Sequence, residues 1–129
     1  MRVLIVVWFF AMMAVFAGVT GCDSANADEQ ITLTLADLPD RDTNAAGVWQ
    51  STRWSGSPWH PYPGGVTLRV EHDLGRAPSA VLVYIAFSAD GAGTGLASGD
   101  LARIVQVTDS EVTIRNGTEA DLYCRIVLE

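Results

Sequence analysis

Two hydrophobic rhythms divide this chain. Val3 to Val19 run for seventeen positions without a charge or a strongly polar group, directly after Met1 and Arg2. From Ile31 onward, apolar residues recur at every second position instead. Ile31, Leu33 and Leu35 alternate with Thr32 and Thr34, and Val66, Leu68 and Val70 alternate with Thr67, Arg69 and Glu71. A period of two puts successive side chains on opposite faces of an extended chain, so these segments are predicted to be strands with one wet face. Val81-Leu82-Val83-Tyr84-Ile85-Ala86-Phe87 is apolar on both faces and predicts a central strand. Leu101 to Val107, Val112 to Arg115 and Leu122 to Leu128 bring the set to six strands, or seven if Val48 to Arg53 pairs. Past the first apolar run, no stretch carries a helical stripe.

The connections have local causes. Asp109-Ser110 separates two β-rich runs by the length of a tight hairpin, and Asn116-Gly117 is the pair favoured at positive φ in a type I′ turn. Gly75, followed by Ala77-Pro78, ends the strand that reaches His72-Asp73 and sends the chain out extended, because the residue before a proline avoids helix. Antiparallel strands of this size bury their apolar faces best as two packed sheets. The predicted fold is all-β: a small antiparallel β-sandwich, with a jelly roll as one arrangement, following an N-terminal signal helix.

A chain of 129 residues allows one domain and leaves too little length for the large α/β enzyme scaffolds. Eight basic residues, all Arg, oppose fifteen acids. Such a surface suits neither nucleic acid nor anionic lipid.

A positive residue, an apolar run and then small residues form the layout of a secretory signal. As a membrane span the run is short of the roughly 20 residues a bilayer core requires. Where it ends, Val19-Thr20-Gly21-Cys22 resembles the lipobox of bacterial lipoproteins. The resemblance implies diacylglycerol on the Cys22 thiol, cleavage before Cys22 and acylation of the new amine, with palmitate as a typical chain. It implies attachment to the cell membrane or outer membrane, on the periplasmic or extracellular face. Each buried methylene contributes about 0.8 kcal/mol, so two or three chains hold where one would not. Asp23 resembles the residue that retains lipoproteins in the inner membrane of some bacteria. Two other outcomes stay open: an uncleaved anchor, and cleavage after Ala25-Asn26-Ala27, which releases a soluble protein starting at Asp28. The expected layout is a signal over 1–21, a lipidated cysteine and acidic tether over 22–30, and the sandwich over 31–129. With lipid on Cys22, Cys124 has no disulfide partner. Its alternation with Leu122, Ile126 and Leu128 predicts a buried, inert thiol.

Trp49, Trp54, Trp59, His60 and Tyr62 fall within fourteen residues, among serines, glycines and prolines. Flat rings on a loop of small polar residues present a platform for sugar rings or for a partner's apolar side chains. The same rings also suit a lid with its own small core. His72-Asp73-Leu74-Gly75-Arg76-Ala77-Pro78 and the strand after it resemble the strand, turn and strand of phage tail-fibre and receptor-binding modules, which implies a β-rich binding fold.

The glycines of Ala89 to Asp100 precede no helix, and the chain has no Lys, so neither phosphate-loop fingerprint is met. Asp90 and Asp100 lack the regular spacing of a calcium loop. His60 and His72 stand at no metal-ligand spacing, and neither Ser57 nor Ser98 sits in a nucleophile elbow. No cofactor, metal or catalytic residue is expected. Asn116-Gly117-Thr118 matches a glycosylation sequon, with the turn role as an equal explanation. The expected function is a membrane-anchored envelope protein binding carbohydrate or an envelope protein through the aromatic loop. A structural envelope component and, behind it, a small hydrolase are the alternatives.

Overall fold

The computed structural model describes residues 29–129, so the signal segment, Cys22 and the tether as far as Asp28 lie outside the described residues. Ten strands follow one another: β1 (Gln30–Leu33), β2 (Asp42–Thr43), β3 (Trp49–Gln50), β4 (His60–Tyr62), β5 (Thr67–Glu71), β6 (Val81–Ala86), β7 (Gly95–Leu96), β8 (Arg103–Val107), β9 (Glu111–Arg115) and β10 (Leu122–Leu128). Single turns of 3-10 helix occupy Leu35–Asp37 and Gly99–Leu101.

The strands form two sheets packed as a sandwich. One has the order β1-β5-β9-β8; the other runs β2-β3-β10-β6-β7, with β4 also paired to β10. Between them lie Leu68 and Val70 of β5, Val112 and Ile114 of β9, and Val83 of β6. Leu122, Cys124, Ile126 and Leu128 of β10 close the core from the other side. The alternation read in the sequence therefore holds: even positions of β10 face inward and odd ones outward. Burying each of these aliphatic side chains contributes about 1.5–3 kcal/mol, so the two apolar faces hold the sheets together.

β10 is the hub of its sheet. Residues 123–128 pair with β6 on one side, while residues 122–124 pair with β4 and 127–128 with β3 on the other. Val81 to Ala86 is an internal strand, flanked by β10 and β7, as its two apolar faces require. β8 is an edge strand, irregular between Ile104 and Gln106, with Val105 exposed. A bulge at an edge disrupts the ladder that a stray strand would extend.

Three connections differ from the sequence reading. β1 runs parallel to β5, with Gln30 opposite Thr67 and Leu33 opposite Val70, so the pairing is not wholly antiparallel. Parallel neighbours need a long crossover, and here the chain makes it by passing through β2, β3 and β4 of the opposite sheet. Pairing also begins at Gln30, one residue before the expected domain start, with Glu29 accepting from the Thr67 amide at 2.9 Å.

Asn116-Gly117 is not a type I′ turn, since neither residue has positive φ. Asn116 is instead fully buried: its amide nitrogen donates to Tyr62 O (3.2 Å) and Ala120 O (2.9 Å), and its Oδ1 accepts from the Thr118 amide and hydroxyl. Those bonds leave no place for a glycan on the folded chain. The Asp109-Ser110 hairpin does form, closed by the Thr108 amide on Glu111 O at 2.9 Å. Gly75, at φ 73°, takes the positive φ that its turn demands.

Candidate functional site

The loop from Ser51 to Trp59 folds across the outer face of the larger sheet. Register places Arg125 of β10, Tyr84 of β6 and Leu96 of β7 in one row on that face. Arg125 is nonetheless almost fully buried, with 3% of its surface exposed, because the loop covers it. Its Nε donates to Thr52 O at 2.7 Å, and its Nη2 donates to Gln50 Oε1. Above it lies Trp54, whose ring centre is 4.4 Å from the guanidinium carbon, with the Tyr84 ring 5.9 Å away. Among the described residues no carboxylate pairs with Arg125. Its charge rests on neutral oxygens and aromatic faces, an attraction that strengthens when water is excluded. Burial lowers its pKa from the ordinary arginine value, and the nearby Tyr84 works the other way.

Trp54 is held on three sides and open on the fourth. Tyr84 meets it edge to face at 5.1 Å and 89°, Trp59 at 6.3 Å and 65°, and Arg125 stacks behind it. Yet 58% of the residue is exposed. A ring with few conformations left and a free face is preorganised for stacking.

The other rings have different surroundings. Trp59 is buried: its amide donates to Ala89 O at 2.7 Å, and its ring lies so close to Gly91 that a Cβ there would come within 3.0 Å. Trp49 and Tyr62 belong to the core between the sheets. Trp49 Nε1 donates to Asp73 Oδ1 at 2.7 Å, and its ring stands edge-on to His72. Desolvation pushes the Tyr62 hydroxyl to a pKa well above the usual range. His60 is buried on β4. The five residues close in sequence thus do not share one surface. Trp54 alone among the rings is exposed, Trp59 packs beneath the loop, and Trp49 and Tyr62 are core.

His60 lines a second feature, a cavity of about 130 Å³ that it shares with Asp37, Pro39, Asp40, Ser51, Thr52 and Pro58. Two atoms of these lining residues, His60 Nε2 and Thr52 Oγ1, are buried without hydrogen-bond partners. Desolvation lowers the His60 pKa, opposed by a hydrogen bond to the Ser51 backbone. Gly56 admits this arrangement, since a Cβ at that position would meet Thr52 Oγ1 at 2.5 Å. Asp37 and Asp40 reach the cavity from a segment distant in sequence, and no motif announces them.

Other candidate chemistry is engaged elsewhere. Asp73 accepts from Trp49 and Arg41, while His72 Nε2 bonds Thr108 O at 3.2 Å, so this adjacent pair forms no dyad. Asp90 accepts from Ser88 and the Ala92 amide, and Asp100 pairs with Arg103. Cys124 is fully buried, which pushes its thiol far above the usual range. Among the described residues no cluster of His, Cys, Asp or Glu is placed to hold a metal, and no helix is long and apolar enough to cross a membrane.

Comparison of the chain with protein-family models, with curated proteins and with solved structures finds no match. The segment from His72 to Tyr84 starts directly after β5 and runs through a turn into β6, and those two strands lie in different sheets.

Proposed function

We propose that this chain is a lipid-anchored envelope protein whose β-sandwich is a carbohydrate-binding module. Cys22 is the attachment point, at the cell membrane or outer membrane, and the open face of Trp54 is the stacking platform. The observation that carries the binding reading is that Trp54 is exposed yet fixed, with Arg125 behind it and Tyr84 and Trp59 at its edges. An exposed indole without a role would be free to turn; this one has its geometry set in advance. Arg53, Ser55 and Ser57, all exposed and close to Trp54 along the loop, carry donors and acceptors suited to sugar hydroxyls. Leu96, exposed in the same row beyond Tyr84, extends the apolar strip. No catalytic step is assigned.

The purified domain and its Trp54→Ala and Trp54→Phe variants, screened against an oligosaccharide panel, test this reading. Wild type should retain a subset of glycans, Trp54→Ala should lose them while the domain stays folded by far-ultraviolet circular dichroism, and Trp54→Phe should keep part of the affinity. Equal binding by wild type and Trp54→Ala would overturn it. The alternative, a structural component without a ligand, draws on the burial of Trp49, Trp59 and Tyr62. An absence of retained glycans, together with a Trp54-dependent crosslink to an envelope protein, would favour a protein partner instead.

A further inference from the structure

We propose that β8 is the contact through which two copies of this chain associate about a two-fold axis, with Ile104, Val105 and Val107 of one copy packing on the same strip of the other and each Arg103 beside the partner's Asp109. The starting observation is apolar surface that the fold leaves uncovered. Ile104, Val105 and Val107 are 46%, 59% and 37% exposed, and they supply three of the six large apolar side chains left open among the described residues. All three fall within four positions of one strand. Clustered exposure of this kind marks an interaction surface, whereas a single exposed aliphatic residue needs no explanation.

Register explains why they are uncovered. Ile104 pairs with Ile114 and Val107 with Val112, and both of those β9 residues belong to the core and are 0% exposed. Paired residues share a face, so Ile104 and Val107 lie on the inner side of their sheet, at a place the opposite sheet does not reach. The 97–102 segment packs against the core through Ala97, Leu101 and Ala102. Beyond Ala102 the sandwich is open along β8, and its apolar inner face continues into solvent.

The charges at the ends of the strand select the occupant. From Ile104 to Thr108 no residue is charged, while Arg103 stands at one end and Asp109, in the hairpin turn, at the other, both exposed. Asp109 makes no hydrogen bond or ion pair among the described residues. Arg103 donates from Nε and Nη2 to Asp100, and its Nη1 makes no bond among the described residues. A segment with a cation at one end, an anion at the other and apolar residues between them is complementary to itself when reversed. A two-fold axis near Gln106 brings each Arg103 to the partner's Asp109 and Val105 to the partner's Val107, whereas a parallel arrangement sets like charges together. A foreign peptide adding to the edge as a further strand needs an unbroken ladder, which the irregularity between Ile104 and Gln106 denies it. Packing of side chains across the axis needs no ladder. An anionic lipid surface is disfavoured by fifteen acids against eight Arg. The strip is short, so the contact belongs with the weak interfaces below about 1,200 Å² in total, and a dissociation constant between about 10 μM and 1 mM is expected.

Sedimentation velocity of residues 28–129, which hold both sheets entire, tests this over that concentration range. Wild type should pass from monomer to dimer and stop there, because a two-fold contact closes on itself. Val105→Asp should weaken association at least about tenfold, and Arg103→Asp and Asp109→Arg at least about fivefold each, with all three variants folded by far-ultraviolet circular dichroism. An equimolar mixture of Arg103→Asp and Asp109→Arg should associate as wild type does, since one copy then carries two acids and the other two arginines at the ends that meet. The double variant alone should recover in the same way. A monomer at every concentration, growth past a dimer, association indifferent to Val105→Asp, or a mixture no stronger than its components would each overturn the proposal. Trp54 takes no part in this contact, so the outcome is independent of the carbohydrate reading.

Discussion

Asp73 joins the indole of Trp49, at the centre of the core, to the guanidinium of Arg41, which binds the carbonyls of Leu35 and Leu38. One partly exposed carboxylate therefore ties the 35–41 segment to the sandwich. Asp73→Ala leaves a buried indole N–H unsatisfied and should cost about 1–3 kcal/mol. Trp49→Phe removes the donor and should make the Asp73 change much milder. A double-mutant cycle by urea denaturation measures that coupling, and additive effects would show the bond to be idle.

Replacing Arg125 by Met strands the Thr52 carbonyl and the Gln50 side chain and removes the cation behind Trp54. We expect a loss of about 2–4 kcal/mol and a weaker near-ultraviolet circular dichroism band from the tryptophans. Arg125→Lys keeps charge without the planar fork and should fall between. Glycan retention should drop in Arg125→Met even though Trp54 is present.

Acid should destabilise the fold in two stages. Burial holds the His60 pKa below its ordinary 6.5, so the unfolded chain takes up that proton first and stability declines as pH falls below about 6.5. Asp73 is opposed by desolvation, but the bonds from Trp49 and Arg41 prevail and hold it below the usual carboxylate range. Asp37 and Asp90 are held low by hydrogen bonds from Thr34 and Ser88. Their contributions are present above about pH 4 and disappear as the pH drops through their folded values. Denaturation at pH 7, 5.5 and 3.5 should trace both stages, and His60→Gln should flatten the upper one alone.

Asn116→Ala deletes the bond that ties the β9–β10 connection to Tyr62 of β4 and the three that hold Thr118 and Ala120 within that connection. A cost of about 3 kcal/mol is expected, lowering the melting temperature by on the order of 15 °C. A shift of only a degree or two would mean that the connection is held by other contacts.

Cys22→Ala should move the protein, expressed in a lipoprotein-processing host, from the detergent phase to the aqueous phase. Mass spectrometry of the wild-type N-terminal peptide should find Cys22 first and carrying acyl chains. An N-terminus at Asp28, or an unmodified thiol at Cys22, contradicts the anchor.

The strands were legible because inward-facing residues such as Cys124 and Ile126 repeat at the strand period. Alternation specifies a face but not a neighbour, which is why nothing in Ile31-Thr32-Leu33 reveals its parallel pairing with β5. Asn116 reads as a turn residue because local propensity favours it there, while its burial depends on Tyr62 and Ala120 arriving from elsewhere. The tryptophans were identifiable as a cluster, but nothing in their spacing separates Trp49 in the core from Trp54 at the surface. The cavity beside His60 was out of reach, since Asp37 and Asp40 meet His60 only through the crossover.

Because β10 supplies the partner for β3, β4 and β6 alike, the larger sheet has no centre until residues 122–128 have been made. A nascent chain halted before Leu122 would leave the apolar face of β5 and β9 without Leu122, Cys124, Ile126 and Leu128 to pack on it. Packing of the two sheets is thereby postponed until Leu122–Leu128 has been made, however early the strands before it are available.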